Sequence, residues 1–255
     1  MRTFNNISTA MPACWLACVS LSLGLVACQP AEKTSADDYF PLAAGHTWQY
    51  QQSVQRDAGA DNSTSPLPAS LTLSNLGMDT VSEAGSDVQA AHRRSSDGMN
   101  YWLQKEASGI YRIGSRFEME EWVTMDQPKR MVLPNPLTVG SRWSATTTPY
   151  LLERMTEFPR ELKHKHPKVP MAYHLEAIEQ SVSTPAGHFS HCLVVKGEAA
   201  LKLFVDPVVG WQDVPLLSTE WYCAGVGLVK VVRDEHTSSL FLNGGQLTLE
   251  LTDWH

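Results

Sequence analysis

Leu240-Phe241-Leu242-Asn243-Gly244-Gly245-Gln246-Leu247-Thr248-Leu249-Glu250-Leu251 is the stretch that decides the fold class. From Leu247 onward leucines alternate with Thr248 and Glu250, the two-residue period of a strand with one face buried and the other wet. Leu240 and Leu242 share a face ahead of Asn243-Gly244-Gly245, a residue set suited to a tight turn, so the segment reads as a β-hairpin. Working back along the chain, short runs of the same character recur between turn residues: 71–76, 88–95, 99–105, 110–117, 171–184, 189–195, 201–205, 219–223 and 226–233. Strands this short and this regularly spaced predict a mainly β protein, a curved antiparallel sheet or half-barrel. One segment departs from the period. Thr148-Pro149 can cap and begin a helix in which Leu151, Leu152, Met155 and Phe158 form an apolar stripe before Pro159 stops it, so one short helix is expected over an end of the sheet. Asp57 to Pro68, rich in turn formers, reads as a loop.

An internal echo runs through this pattern. Pro41-Leu42-x-x-Gly45-x-x-Trp48 recurs as Pro136-Leu137-x-x-Gly140-x-x-Trp143, each ahead of an extended run. The physical content is a turn, with a glycine free to take positive φ, feeding a strand whose tryptophan enters the core. Trp48 and Trp143 are therefore expected to be buried equivalents. Two copies point to an internal duplication within one β-rich domain over 39–255, with a shared turn solution as the competing explanation.

The other end of the chain carries an address. Arg2 supplies the lone positive charge before an apolar stretch, Trp15 to Ala27, that is too short to span a bilayer as a helix. Leu25-Val26-Ala27-Cys28 resembles the bacterial lipobox, which implies a signal peptide over 1–27, cleavage before Cys28 and lipidation of Cys28. The alternative is an ordinary secretory cleavage site with Cys28 a spectator. One acyl chain holds a protein marginally, at about 0.8 kcal/mol per buried methylene, whereas two or more hold it durably. Gln29 is not the aspartate that retains many lipoproteins in the inner membrane, so the expected location is the outer membrane, periplasmic or surface face. Residues 28–38 are polar and read as a tether.

Charge narrows the partners. The chain has 20 Lys and Arg against 27 Asp and Glu, and loss of Arg2 with the signal peptide changes its formal charge from −7 to −8. A surface this acidic has no broad attraction to nucleic acid. About 230 mature residues suffice for one substantial core. Of the five cysteines, Cys14 and Cys18 leave with the signal and Cys28 is acylated, so Cys192 and Cys223 remain as an even pair, either bridged or two buried thiols.

Tyr39-Phe40-Pro41-Leu42 with Gly45, Trp48 and Tyr50, then Thr184-Pro185-Ala186-Gly187-x-Phe189 with Cys192, then Trp221-Tyr222-x-x-Gly225-Val226-Gly227-Leu228-Val229-Lys230, resemble the opening, middle and close of a group of uncharacterised bacterial envelope proteins. These are TapB-like lipoproteins and related domains of unknown function, similar in architecture to the LolA and LolB half-barrels. The resemblance implies that the runs holding Cys192 and Cys223 share one sheet, which places a disulfide between them. It brings no catalytic residue with it. Gly225 and Gly227 fit a strand bulge or a bend that curls the sheet, and a curled sheet offers a concave groove.

Catalytic signatures are sparse. There is no G-x-S-x-G, H-E-x-x-H or Walker loop, and Gly225-Val226-Gly227 lacks the third glycine of a dinucleotide site. His188 and His191, beside Cys192, would face opposite sides of a strand, so no metal or other cofactor is expected there. His164 and His166 lie in a basic, proline-bounded stretch, 160–168, that reads as a solvated loop or a contact for phosphate or an acidic partner. Glu118 and Glu120 share a face and, with Glu121, form the densest acidic group, read as solvated rather than as a glycosidase pair. Tyr101-Trp102 offers one ring to a ligand and one to the core. The expectation is a non-enzymatic outer-membrane lipoprotein that binds an envelope protein or a lipid, with a carrier of hydrophobic ligands and, behind it, an envelope hydrolase as the alternatives.

Overall fold

Alternating apolar residues along the chain fold into β1 (Thr47–Arg56), β2 (Ser70–Glu83), β3 (Ser86–Ser95), β4 (Met99–Glu106), β5 (Gly109–Phe117), β6 (Thr124–Pro134), β7 (Arg142–Thr147), β8 (Glu153–Arg154), β9 (Val169–Thr184), β10 (Gly187–Asp206), β11 (Gly210–Cys223), β12 (Gly227–Glu235), β13 (Leu242–Asn243) and β14 (Gly245–Trp254). The structure is a computed structural model and describes residues 39–57, 69–83, 86–154, 168–206, 208–239 and 242–255. The expected signal peptide and tether, Cys28, residues 58–68, His164 and His166 lie outside the described residues. The chain divides after Glu32, and the described residues all belong to the unit Lys33–His255.

Twelve strands form one antiparallel sheet in the order β6-β5-β4-β3-β2-β1-β14-β12-β11-β10-β9-β7. This is two six-stranded meanders, β1 to β6 and β7 to β14, joined where β1 pairs with β14. The sheet curls beyond a half-barrel until it is nearly closed. Its edges, β6 and β7, form no ladder, yet Arg130 Nε on β6 donates to the Thr146 carbonyl on β7 at 3.0 Å.

The interior is apolar. On β9 Met171, Tyr173 and Leu175 point in, on β10 Leu193, Val195, Leu201 and Leu203, and on β11 Val214, Leu216 and Tyr222. Glu176, Glu198, Lys202 and Asp213 face out. A lipid-embedded barrel shows the opposite arrangement, an apolar outer band around a polar lumen. A second cluster gathers Trp48, Tyr50, Phe189 and Leu251 around Cys192 and Cys223, which are directly opposed on β10 and β11 with Cα atoms 4.0 Å apart and joined by a disulfide.

Four expectations need correction. Leu242 and Asn243 do not form a hairpin with β14; they pair with β8, while β14 lies between β1 and β12. Gly244 and Gly245 are needed for close approach, since a Cβ would stand 2.6 Å from the Glu235 carbonyl oxygen and 2.1 Å from that of Gln55. The expected helix is absent from its described part: Pro149 to Leu152 is irregular and runs into β8, and 155–158 lies outside the described residues. A distant carboxylate accounts for this. Glu235, fully buried on β12, accepts from the backbone N–H groups of Tyr150, Leu151 and Leu152, the donors a helix would have left open at its first turn. Arg233 donates to Glu235 at 2.9 Å and to the Thr148 carbonyl at 3.3 Å, fixing the segment inside the sheet. Gly225 lies in the β11–β12 turn rather than in a strand, with φ +74°. Gly227, with φ +99°, opens β12, and the bulge falls beside Val229 instead. The remaining correction concerns β6, unread in the sequence because Pro128 and the charged Lys129-Arg130 interrupt its apolar period. An edge strand tolerates both, since one side of its backbone has no ladder to supply.

Candidate interior binding site

Where the curled sheet comes round to its open edges, packing leaves a cavity of about 290 Å³. Both edge strands line it, through Arg130 and Val132 of β6 and Thr146 and Thr147 of β7, and the far wall brings Leu73, Arg93, Tyr101, Leu103 and Arg112 from β2 to β5. Phe40, Tyr222 and Leu228 form the floor, while Tyr150 and the exposed Lys168 stand on the connection between β7 and β9.

Three guanidinium groups reach this space and are held differently. Arg112 is neutralised on the spot, donating from Nε and Nη2 to the two oxygens of Asp126 at 2.6 and 2.9 Å. Arg93, only 8% exposed, has neutral acceptors: Nε to Asn75 Oδ1 and Nη2 to the Pro41 carbonyl, each at 2.8 Å. Its plane lies 4.4 Å from the Phe40 ring centre and 4.7 Å from that of Trp48, a cation on two aromatic faces. Burial lowers its pKa to about 10, with Tyr50 and Tyr222 opposing that fall, so it stays charged at neutral pH. Arg130 uses Nε on Thr146. Burial pulls its pKa down, but Tyr173, Glu220, Tyr150 and Tyr222 outweigh that and carry it above its ordinary value.

The phenols remain neutral donors. Burial, helped by Asp97 and Tyr150, raises Tyr101 to about 12, and burial with Glu220 alongside lifts Tyr173 to about 12. Tyr222 is raised further by burial and by Glu220, whose carboxylate accepts its hydroxyl at 2.6 Å and that of Ser218 at 3.1 Å.

The residues singled out in the sequence scatter around this site. Tyr101 lines the cavity, whereas Trp102 turns the other way into a small cluster with Val81, Ala90 and Ile113. Trp48 is buried and donates from Nε1 to the Val226 carbonyl at 2.6 Å. Trp143 is only half-buried, stacked on Tyr173 with ring centres 5.8 Å apart, because β7 is a sheet edge with a neighbour on one side. The expected equality of burial therefore fails. His188 pairs with Ser183, His191 with Glu179, and Glu118, Glu120 and Glu121 lie exposed beyond β5, none of them at the cavity. Sequence reading missed Arg93, Arg112 and Arg130: Arg112 and Arg130 are direct cross-strand partners on β5 and β6, and Arg93 stands two strands away from β5 on β3, placements set by long-range strand pairing. The one local hint is the placing of Arg112 inside the β-type run 110–117.

A scan against protein-family models finds no match, and a search of curated proteins finds none either. Among solved structures the chain is similar to a protein of Parabacteroides distasonis provisionally described as a lipoprotein, at 15% identity and a TM-score of 0.38, over 85% of this chain and 98% of that one. It is also similar to a protein of Bacteroides fragilis provisionally described as exported, with a YmcC-like fold, at 13% identity and a TM-score of 0.35, over 85% of this chain and 98% of that one.

Proposed function

We propose that this protein is a non-enzymatic binding component of the bacterial envelope, held at the outer membrane by lipid on Cys28 and receiving a small ligand inside its curled sheet. The observation that carries the reading is the cavity of about 290 Å³ lined by Arg93, Arg112, Arg130 and Tyr101. Ligand sites run from roughly 300 to 1,000 Å³, so this one suits a small molecule better than a diacyl lipid. Its lining supports binding over catalysis: arginines and neutral phenols converge, with no histidine among the described lining residues to act as a base.

Native purification in mild detergent, followed by mass spectrometry of what co-elutes, tests this. A small organic molecule at near-stoichiometric yield is expected. An empty protein that instead brings down an equimolar envelope protein would favour an assembly scaffold. That second reading has its own support, since Met119 and Trp122 between β5 and β6, and Val208 and Trp211 at the β10–β11 turn, are exposed at the same end of the sheet. The anchor is tested separately: Cys28→Ser should leave the membrane fraction, and sedimentation like wild type would refute lipidation.

A further inference from the structure

We infer that the cavity selects an organic anion, an apolar body bearing one carboxylate or phosphate group, with Arg130 as the residue that engages the charge. The inference rests on the small-ligand reading and adds the ligand's class. Its basis is a charge imbalance. Of the three lining arginines, Arg112 alone has a carboxylate partner, Asp126. Arg93 is satisfied by an amide oxygen and a carbonyl, which leave its positive charge uncompensated. Arg130 commits Nε to a carbonyl and has no acceptor for either Nη among the described residues.

Glu220 is the acid whose field reaches Arg130, but it forms no ion pair with it; both its oxygens are occupied by the hydroxyls of Ser218 and Tyr222. A half-buried guanidinium with two free donor groups and no counterion among the described residues is poised for an incoming carboxylate or phosphate, which matches its planar fork. Withdrawing such a charge from water is costly unless it is paired, so an anion gains where a neutral isostere does not. The remaining wall, Phe40, Leu73, Leu103, Val132 and Leu228, is apolar and would hold the body of the ligand.

Three bicyclic probes of one shape separate the possibilities by calorimetric titration of the full mature lipoprotein in detergent: 2-naphthoate, 2-naphthyl phosphate and the neutral 2-naphthamide. At least one anion is expected to bind about tenfold more tightly than the amide, as for a hydrogen bond to a charged group. The stronger of the two identifies carboxylate or phosphate ester as the natural head group. Arg130→Gln should erase this preference, with an unchanged far-UV circular dichroism spectrum and cooperative thermal melt certifying that the variant is folded. Equal binding of anions and amide would overturn the anion inference while leaving the small-ligand reading in place. Absence of binding by all three probes would overturn both, and a full anion preference in Arg130→Gln would overturn the role of that residue.

Discussion

The two copies of the Pro-Leu-x-x-Gly-x-x-Trp unit share a backbone and differ in what they build on it. Gly45 has φ +90° and Gly140 has φ +85°. Gly45 N–H donates to the Asn75 carbonyl and Asn75 N–H returns the bond to His46, while Gly140 N–H donates to Leu175 and Leu175 N–H returns it to Ser141, all between 2.8 and 3.0 Å. Trp48 then pairs with Leu73 and Trp143 with Tyr173, each two residues before the clasp residue. The correspondence extends one strand further, where Asn75 faces Arg93 and Leu175 faces Val195. At equivalent positions one copy places a hydrogen-bonded polar pair and the other two core aliphatics. The first thus furnishes the charged wall of the cavity and the second the apolar mass that supports it.

The largest effect separates the tryptophans. Trp48→Ala should cost about 3 to 5 kcal/mol in urea unfolding, as for truncation of a large buried aromatic. Trp143→Ala should cost about 1 to 2 kcal/mol, since the half-exposed ring forfeits a stack and part of its burial. Equal losses would dissolve the contrast between an interior and an edge strand.

Next comes Asn75. Asn75→Leu places the second copy's residue in the first and strips Arg93 of its Nε acceptor, at an expected cost of about 1.5 to 3 kcal/mol. Adding Arg93→Val completes the transplant and should recover most of that loss, because apolar replacement of a buried polar pair is often neutral or better. A double variant no more stable than the single one would show that the two positions are not equivalent.

The glycines should behave alike. A methyl group added at either would meet no atom within 4 Å, so Gly45→Ala and Gly140→Ala test φ alone, and each should cost about 1 to 2 kcal/mol. Unequal costs would mean that only one turn depends on its positive φ.

The smallest effect is confined to the first copy. The Trp102 indole donates to Asp79 at 3.0 Å and, with the Thr80 N–H and nearby His92 and Arg116, holds its carboxyl below the ordinary aspartate value against a weaker opposing pull from burial. A depressed carboxyl stabilises above its unfolded pKa, and the gain is lost as pH falls through the lower folded value. Asp79 is half-exposed, so under about 1 kcal/mol is at stake. Asp79→Asn should flatten that part of the acid limb of stability against pH, and an unchanged limb would remove Asp79 from the account.

By itself the sequence determined the β class, because a two-residue apolar period has one economical solution, and the turn-strand device, because it is local: a proline, a glycine at positive φ and a tryptophan two residues into a strand. It also marked most strands where apolar alternation was uninterrupted. Only the tertiary structure decided the partners. Leu242 pairs with β8 rather than β14, and Tyr150 to Leu152 forgo a helix, because the buried Glu235 from a strand more than eighty residues away takes their N–H groups. Edge strand β6 escaped the sequence because its prolines and charges carry no apolar period. The cavity escaped it for a related reason: Arg112 and Arg130 meet because β6 pairs with β5 in that register, and Arg93 joins them from β3, placements that long-range strand pairing sets and no local pattern encodes.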